Sequence, residues 1–542
     1  MRSLPVPATF LLVAALLGGL PLLKGALYLN KHQLDAVHLA DLVLRMARGE
    51  LPHLDFMTPI GILAVAPIAA FVRAGAELGH AFLYAQLLVA ALLLLPALRV
   101  AQSRFAGPWR HLYAAVVMIF CLALVYGEAQ PAISVSMHYN RWAWAIAYVI
   151  LPLALAGPRT GPDRPWLEGA IIGAGLAALL LIKVTYLVAL APAVLVLLLV
   201  RRQGTALASA VLAGLLVIAA VTLWTGPAFW LAYLRDLLTL AGSEFRQAPG
   251  LDFGSTVTDP AYLGASMALL MAVVLVRQAG RAEAGLGLLL LAPGFFYVTY
   301  QNFGNDPQWL FLVALMLLAL RPAAGLRNAL GWAIAPAMTL TATLAFGFGL
   351  PSMLNLAWSP VTILGGSDDS FTPLLGTAAG QGDFLTSIGP AQGVQRKMPY
   401  DGPGTPFASF RAGAKHPEPA MLNGEALPEC ALDGGFVAWF QVVADDLVAA
   451  GYGGDRIVTA DLFGSFWLYG ALEPVKGAAP WYYTGTPGIA NADYVLVPLC
   501  PLNGMQRARM LKALTEDGWH LDEVRRTPLY ILVRPTSERS QG

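Results

Sequence analysis

The chain has 542 residues, 57% of them hydrophobic and 12% charged. Soluble proteins carry roughly 45–50% apolar and about 25% charged residues, and here the apolar residues come in long blocks, so a string of soluble domains is excluded and a polytopic membrane protein fits. Lys+Arg number 34 against 33 Asp+Glu, a formal charge of +1 that gives nucleic-acid binding no support, and three cysteines without a CxxC pair exclude a zinc ribbon or thioredoxin-type site.

Apolar segments recur at about 7–29, 59–76, 80–98, 112–127, 141–157, 168–182, 184–200, 205–225, 261–276, 285–300, 308–320 and 329–350. A spanning helix needs ~20 apolar residues. The first segment, behind Arg2, shows no convincing cleavage site and precedes many others, so it reads as a transmembrane helix and not a signal peptide. Basic residues mark five short loops: Arg99, Arg104 and Arg110; Arg159 and Arg164; Arg201 and Arg202; Arg277 and Arg281; Arg321 and Arg327. The positive-inside rule puts all five in the cytoplasm. With Arg2 also inside, one of the twelve segments does not cross. Segment 59–76, interrupted by Pro67 and ending near Arg73, is expected as a juxtamembrane helix on the outer face. That leaves eleven spans, a cytoplasmic N-terminus and an external C-terminus; the alternative is twelve spans with the N-terminus outside.

Residues 1–360 carry 21 Lys+Arg and 14 Asp+Glu, whereas residues 361–542 carry 13 and 19, a net charge of −6. The expected organisation is a membrane domain over 1–350, an irregular Gly/Pro-rich connector over 351–428 and an α/β domain over 429–542. In the last, FVAWFQVVADDLVAA (436–450) has helical spacing and RIVTADLF (456–463) is strand-like. YVLVPLC (494–500), a helix near 505–518 and closing strands near 520–527 and 529–535 complete it. No internal repeat is visible.

The loop LNKHQLDAVHLADLVLRMARGELPHLDFMTPIG (29–61) is unusually polar for this chain. Asp35, His38 and Asp41 are spaced i, i+3, i+6 and share one side of a helix, with Leu39, Leu42, Val43 and Met46 on the apolar side. Asp55 follows the turn signal between Gly49 and Pro52. The plain reading is an amphipathic surface helix whose acids meet water. His32, His38 and His53 share the loop, but their spacing matches no standard metal site.

An acid after the first span, followed by G-x-x-P-x-x-D-F-x-x-P-x-G, resembles the first external loop of the C-type (GT-C) membrane glycosyltransferases. That family includes the protein O-mannosyltransferases, aminoarabinose transferases and the catalytic subunit of oligosaccharyltransferase. The resemblance implies a sugar donor carried on a polyprenyl phosphate or diphosphate, and a loop acid that activates the acceptor. Asp35 matches the leading acid. The next position is Ala36, where many members carry a second acid. An odd number of spans, a long first loop with a juxtamembrane helix and an external α/β tail extend the likeness over most of the chain.

The second external loop, YGEAQPAISVSMHYNRWAWA (126–145), offers Glu128 as a further carboxylate and Arg141 as a phosphate ligand. The plain alternatives are a helix-end acid in interfacial water and a snorkelling arginine. Lys183, in LLLIKVTYLV (179–188), costs ~2.5–3.5 kcal/mol if placed at the centre of a spanning helix. At a helix–helix turn it would suit a phosphate or a structural ion pair. YQNFGNDPQWLF (300–311) supplies Asn302, Asn305, Asp306 and Gln308, a polar cluster suited to sugar hydroxyls or simply a turn and helix start. His38, His53 and Tyr139 join these as candidate sugar or acceptor contacts. Loop 226–260 adds Asp236, Glu244 and Arg246 with weaker signals.

GAGLAA (173–178) lies inside a hydrophobic span with no preceding strand, so small-residue helix packing explains it better than dinucleotide binding. No G-x-S-x-G motif is present. Cys121 falls in a span and is expected buried. Cys430 and Cys500 both fall in the tail, where an oxidising compartment permits a disulfide across about seventy residues; the alternative is two unpaired thiols.

The resemblance, joined to these features, implies a glycosyltransferase of the cytoplasmic membrane acting on its outer face. Asp35 would be the base, assisted by Asp55 or Glu128, with Lys183 and Arg141 on the donor phosphate. The partners are a polyprenyl-phosphate-linked sugar, a glycan, lipid or protein acceptor, and membrane lipid. No cofactor is expected with a monophosphate donor; a diphosphate donor would bring in a divalent metal. A lipid-linked-sugar flippase and a non-catalytic GT-C relative are the alternatives.

Overall fold

The computed structural model describes residues 4–125, 131–243, 254, 258, 260–301, 306–376, 381–413 and 418–537. Helices run in the order α1 (Val6–Lys24), α2 (Gln33–Ala47), α3 (Ala66–Arg73), α4 (Leu78–Arg104), α5 (Trp109–Leu122), α6 (His138–Leu155), α7 (Pro165–Ile182), α8 (Val184–Val200), α9 (Gly204–Thr225), α10 (Ala228–Ala241), α11 (Pro260–Gln278), α12 (Ala282–Gln301), α13 (Trp309–Leu320) and α14 (Ile334–Leu364). Among the described residues six of them, α1, α4, α7, α9, α12 and α14, are long and apolar enough to cross a membrane. α5, α8, α11 and α13 are shorter apolar helices, and α6 is buried along almost its whole length. This is a multi-pass α-helical membrane protein by composition and architecture.

Small residues set how closely the helices approach. A Cβ on Gly173 of α7 would stand 1.8 Å from the Ala210 carbonyl of α9, and one on Gly169 2.1 Å from that of Ala206. The glycine-rich stretch that mimics a nucleotide-binding string therefore serves backbone-to-backbone packing. α3 has 8 residues, about 12 Å of helix, too short to span. It packs against α2 and α4 as a surface helix.

The five basic loops converge on one end of the bundle. Glu168 at the start of α7 accepts from Arg99 (2.5 Å) and from Arg104 (2.5 and 2.7 Å) at the end of α4. Arg159 donates to the Ala319 carbonyl, Arg201 to that of Ala154, and Arg201 pairs with Glu283 at 3.5 Å. Asn328 reaches Gln278, which ties the last two loops together. A buried Glu168 with two guanidiniums is a fully partnered ion cluster, the form in which charge survives burial.

The opposite end carries a three-stranded and a four-stranded sheet, with two two-stranded ladders besides among the described residues. β1 (Leu27–Leu29), directly after α1, pairs in parallel with β3 (Phe384–Ser387), and β2 (Phe371–Pro373) pairs antiparallel on its other side. Asp383, just before β3, accepts from the amides of Gly79 (2.8 Å) and His80 (2.7 Å) and so caps α4 from about 300 residues away. The expected connector over 351–428 needs correction. α14 has 31 residues and continues through Pro351 and Pro360 to Leu364, roughly 46 Å of helix. Packed neighbours tolerate proline in such a helix, so a boundary drawn at 350 cuts it in two. Five strands follow in the stretch read as irregular: β2, β3, β4 (Gln395–Lys397) and an antiparallel pair of two-residue strands, Met421–Leu422 and Glu425–Ala426.

After β5 (Ala431–Gly434) the C-terminal region is α/β. α15 (Phe436–Leu447) and α16 (Gly504–Glu516) accompany a sheet of β6 (Ile457–Thr459), β7 (Tyr494–Pro498), β8 (Trp519–Arg526) and β9 (Tyr530–Ser537) in the order β8-β9-β7-β6. β6 and β7 are parallel and the other pairings antiparallel. Cys430 and Cys500 are bridged with their Cα atoms 4.7 Å apart, and Cys121 is buried in α5.

Candidate functional site

The site is built around a break between two helices. α7 and α8 are separated by Lys183 alone, which adopts an extended backbone. The carbonyls left open at the end of α7 find partners from elsewhere. The Tyr233 hydroxyl of α10 donates to Leu180 (2.9 Å) and the Gly61 amide donates to Ile182 (3.1 Å). A Cβ at position 61 would sit 2.1 Å from the Leu181 carbonyl. The last glycine of the first-loop motif is therefore required by close approach to the break.

His53, in the same motif, holds a left-handed backbone (φ 71°), which is uncommon for a non-glycine residue. Its Nδ1 donates to the Asp236 carboxylate of α10 (3.0 Å), and that carboxylate also accepts the Thr58 amide (3.2 Å). The imidazole packs 4.4 Å from the Tyr233 ring. Burial holds the His53 pKa below its ordinary value and outweighs the opposing pull of Asp236. The His53–Asp236 contact thus latches residues 53–61 to α10, and that segment in turn braces the break at Lys183.

The Lys183 ammonium donates to Asn140 Oδ1 (3.3 Å) and lies 5.4 Å from the centroid of the Tyr139 ring. Both belong to the first turn of α6. Arg141, the next residue, is 2% exposed; its Nη1 donates to the Val125 carbonyl (2.5 Å). Just before α6, the Ser136 hydroxyl donates to Asp35 Oδ2 (2.5 Å), and Ile133 exchanges hydrogen bonds with Asn30 (2.8 and 3.1 Å). His138 donates through Nε2 to the Ala64 carbonyl (2.9 Å). These contacts bring Asp35, Tyr139, Arg141 and Lys183 to the N-terminal end of α6, Asp35 through Ser136 and Lys183 through Asn140.

The other candidates lie elsewhere. Asp55 accepts the Leu51 amide (2.8 Å) and pairs with Lys476 (3.1 Å) of the C-terminal region, while its carbonyl accepts the Gly477 amide (2.6 Å). Among the described residues it shares no partner with Asp35. His38 is buried with its ring 5.5 Å from that of Trp481. Asp41, on the same helix side, is buried between Arg45 (2.7 Å) and Trp467 Nε1 (2.8 Å). The acids of α2 therefore divide, Asp35 toward α6 and Asp41 toward the C-terminal region, and do not meet water together. Asp306 is half-buried at the start of α13; Gln308 is buried, and its carbonyl accepts the Tyr148 hydroxyl (2.6 Å). Glu128, Asn302, Asn305, Glu244 and Arg246 lie outside the described residues.

Sequence reading missed Ser136, Asn140 and Trp144, and ranked Asp236 low. Their signal is faint, since a serine or asparagine near a helix start reads as an ordinary turn. Among the described residues, four buried polar atoms of α6 and the start of α13 lack a hydrogen-bond partner: Asn140 Nδ2, Arg141 Nη2, Trp144 Nε1 and Gln308 Oε1. Leaving such a group unpaired costs ~1–3 kcal/mol, more if it is charged. Among the described residues no group of three or more His, Cys, Asp or Glu could hold a metal ion.

Neither a family model nor a curated protein matches the chain. A carboxylate can take a proton from a hydroxyl, and two cations a few residues away can hold a phosphate; such a set suits transfer of a group from a phosphate-bearing donor.

Proposed function

We propose that the chain is a GT-C-type membrane glycosyltransferase that moves a sugar from a polyprenyl-phosphate donor to a hydroxyl acceptor at the domain-bearing end of the bundle. The observation that carries this reading is the gathering of Asp35, Arg141 and Lys183 around the first turn of α6. Asp35 takes the proton of the acceptor hydroxyl. The acceptor oxygen then bonds to the anomeric carbon from the face opposite the phosphate, and the bond from that carbon to the phosphate oxygen breaks. Polyprenyl phosphate leaves with the electron pair, its charge held by Lys183 and Arg141, and the anomeric configuration inverts.

The same reading takes α1 and α4–α9 with α11–α14 as eleven crossings, sets the N-terminus and the arginine-rich end in the cytoplasm, and sets the C-terminal region outside. The gathering of all five basic loops at one end supports it. Purified full-length protein, incubated with a polyprenyl phosphate carrying radiolabelled sugar and an extract of envelope acceptors, tests the function. Label should leave the lipid for a new product. Transport of intact lipid across a liposome membrane with no sugar transferred would replace this reading by a flippase.

A further inference from the structure

We propose that Asn140, Trp144 and Gln308 form a buried subsite that recognises the hydroxyls of the donor sugar. The inference rests on the glycosyltransferase reading and deepens it. Its own ground is the set of orphaned polar atoms.

Asn140 and Trp144 are four residues apart on α6, so they stack on one face, about 6 Å apart along the axis. Asn140 Oδ1 is taken up by Lys183, which leaves its NH2 group as an unused donor. Trp144 is 1% exposed, and its indole N–H meets no acceptor. One more turn along that face, the Tyr148 hydroxyl donates to the Gln308 backbone, which brings α13 against α6. Gln308 is 5% exposed and its Oε1 is an unused acceptor. Two neutral donors on α6 and one neutral acceptor at the start of α13 are thus unused, and Arg141 Nη2, in the same helical turn as Asn140, is orphaned as well. A lone charged ligand would not need this mixture. A ring with several hydroxyls, each both donor and acceptor, matches it.

The surroundings agree with this assignment. Trp144 lies 5.5 Å from the Tyr186 ring and 6.2 Å from that of Phe295, which stacks on Trp309 at 5.2 Å. Aromatic faces pack well against the C–H face of a sugar. The location also fits the donor, whose sugar is bonded directly to the phosphate. A phosphate held by Arg141 and Lys183 leaves the ring within about one helical turn of Trp144.

The test compares bare undecaprenyl phosphate with mannosyl- and glucosyl-phosphoundecaprenol, as radiolabelled ligands binding to the full-length protein in nanodiscs. Trp144→Phe keeps the ring and removes the N–H; Gln308→Met keeps the length and removes the acceptor. Each variant is first shown to melt within a few degrees of the parent, and either one that does so suffices. We expect both to bind the bare lipid within twofold of the parent and to bind at least one glycosylated lipid about tenfold more weakly. If bare lipid binds but the substitutions leave all affinities for glycosylated lipid unchanged, the subsite is wrong and ordered water alone satisfies these atoms, while the glycosyltransferase reading stands. If the parent binds none of the three lipids, both fall.

Discussion

The amide of Gly61 donates to the carbonyl of Ile182, the residue immediately before Lys183. A motif glycine in the first loop thereby fixes the backbone from which the site lysine projects. Because a Cβ at position 61 would lie 2.1 Å from the Leu181 carbonyl, Gly61→Ala must displace either the loop or the break. Overpacking of this kind costs about 1–3 kcal/mol. We expect a lower melting temperature and a larger loss of sugar transfer than for Gly347→Ala in α14, where an added Cβ would meet open space on an ordinary helical backbone. Equal transfer by Gly61→Ala and parent protein would show that the contact does not position Lys183.

Lys183 itself should behave as a phosphate ligand. Loss of a group that stabilises developing charge typically lowers turnover by ~10²–10³. Lys183→Met should show that loss, and Lys183→Arg should recover part of it by keeping the charge. Removing the partner, as Asn140→Leu, should weaken donor binding by a smaller factor. If Lys183→Met turns over normally, the lysine only supports the break between α7 and α8.

The His53–Asp236 latch makes stability depend on pH. The pKa of His53 is lowered in the folded protein, so between that value and about 6.5, the ordinary histidine value, the unfolded chain binds the extra proton. Its contribution is present above pH 6.5 and is lost as pH falls through the folded value. The melting temperature should drop between pH 7 and pH 5, and His53→Gln should flatten that slope. Identical slopes in parent and variant would remove the latch from the account.

Several of these features were readable from residues alone. Periodicity placed the apolar helices and the order of helices and strands in the C-terminal region, because burial imposes a regular spacing on the chain. Lys183 was legible as a cation in a long apolar stretch. What stayed hidden were pairings across the chain. Nothing local in Asp383 announces that it caps α4, and nothing local in Pro351 shows that α14 runs through it to Leu364. Asp35 and Asp41 looked equivalent on one helix side, yet Ser136 engages one and Trp467 the other. Tertiary partners decide such roles, and spacing does not encode them.

The bridge between Cys430 and Cys500 closes a separation of 70 residues, a loop for which the chain-entropy model gives roughly 4 kcal/mol. Unreduced protein made with an exported C-terminal region should resist alkylation at both positions, and reduction should lower its melting temperature. Labelling of both thiols without reductant would rule the bridge out. It would also weaken the assignment of this region to an oxidising compartment.

The most direct measurement is single-turnover sugar transfer by Asp35→Asn alongside the parent, with binding of bare undecaprenyl phosphate followed in the same preparations. General-base catalysis contributes ~10²–10⁴-fold. The account predicts that the variant binds the lipid within twofold of the parent while transfer slows by about that factor. Transfer at the parental rate by Asp35→Asn, with binding intact, would contradict the account.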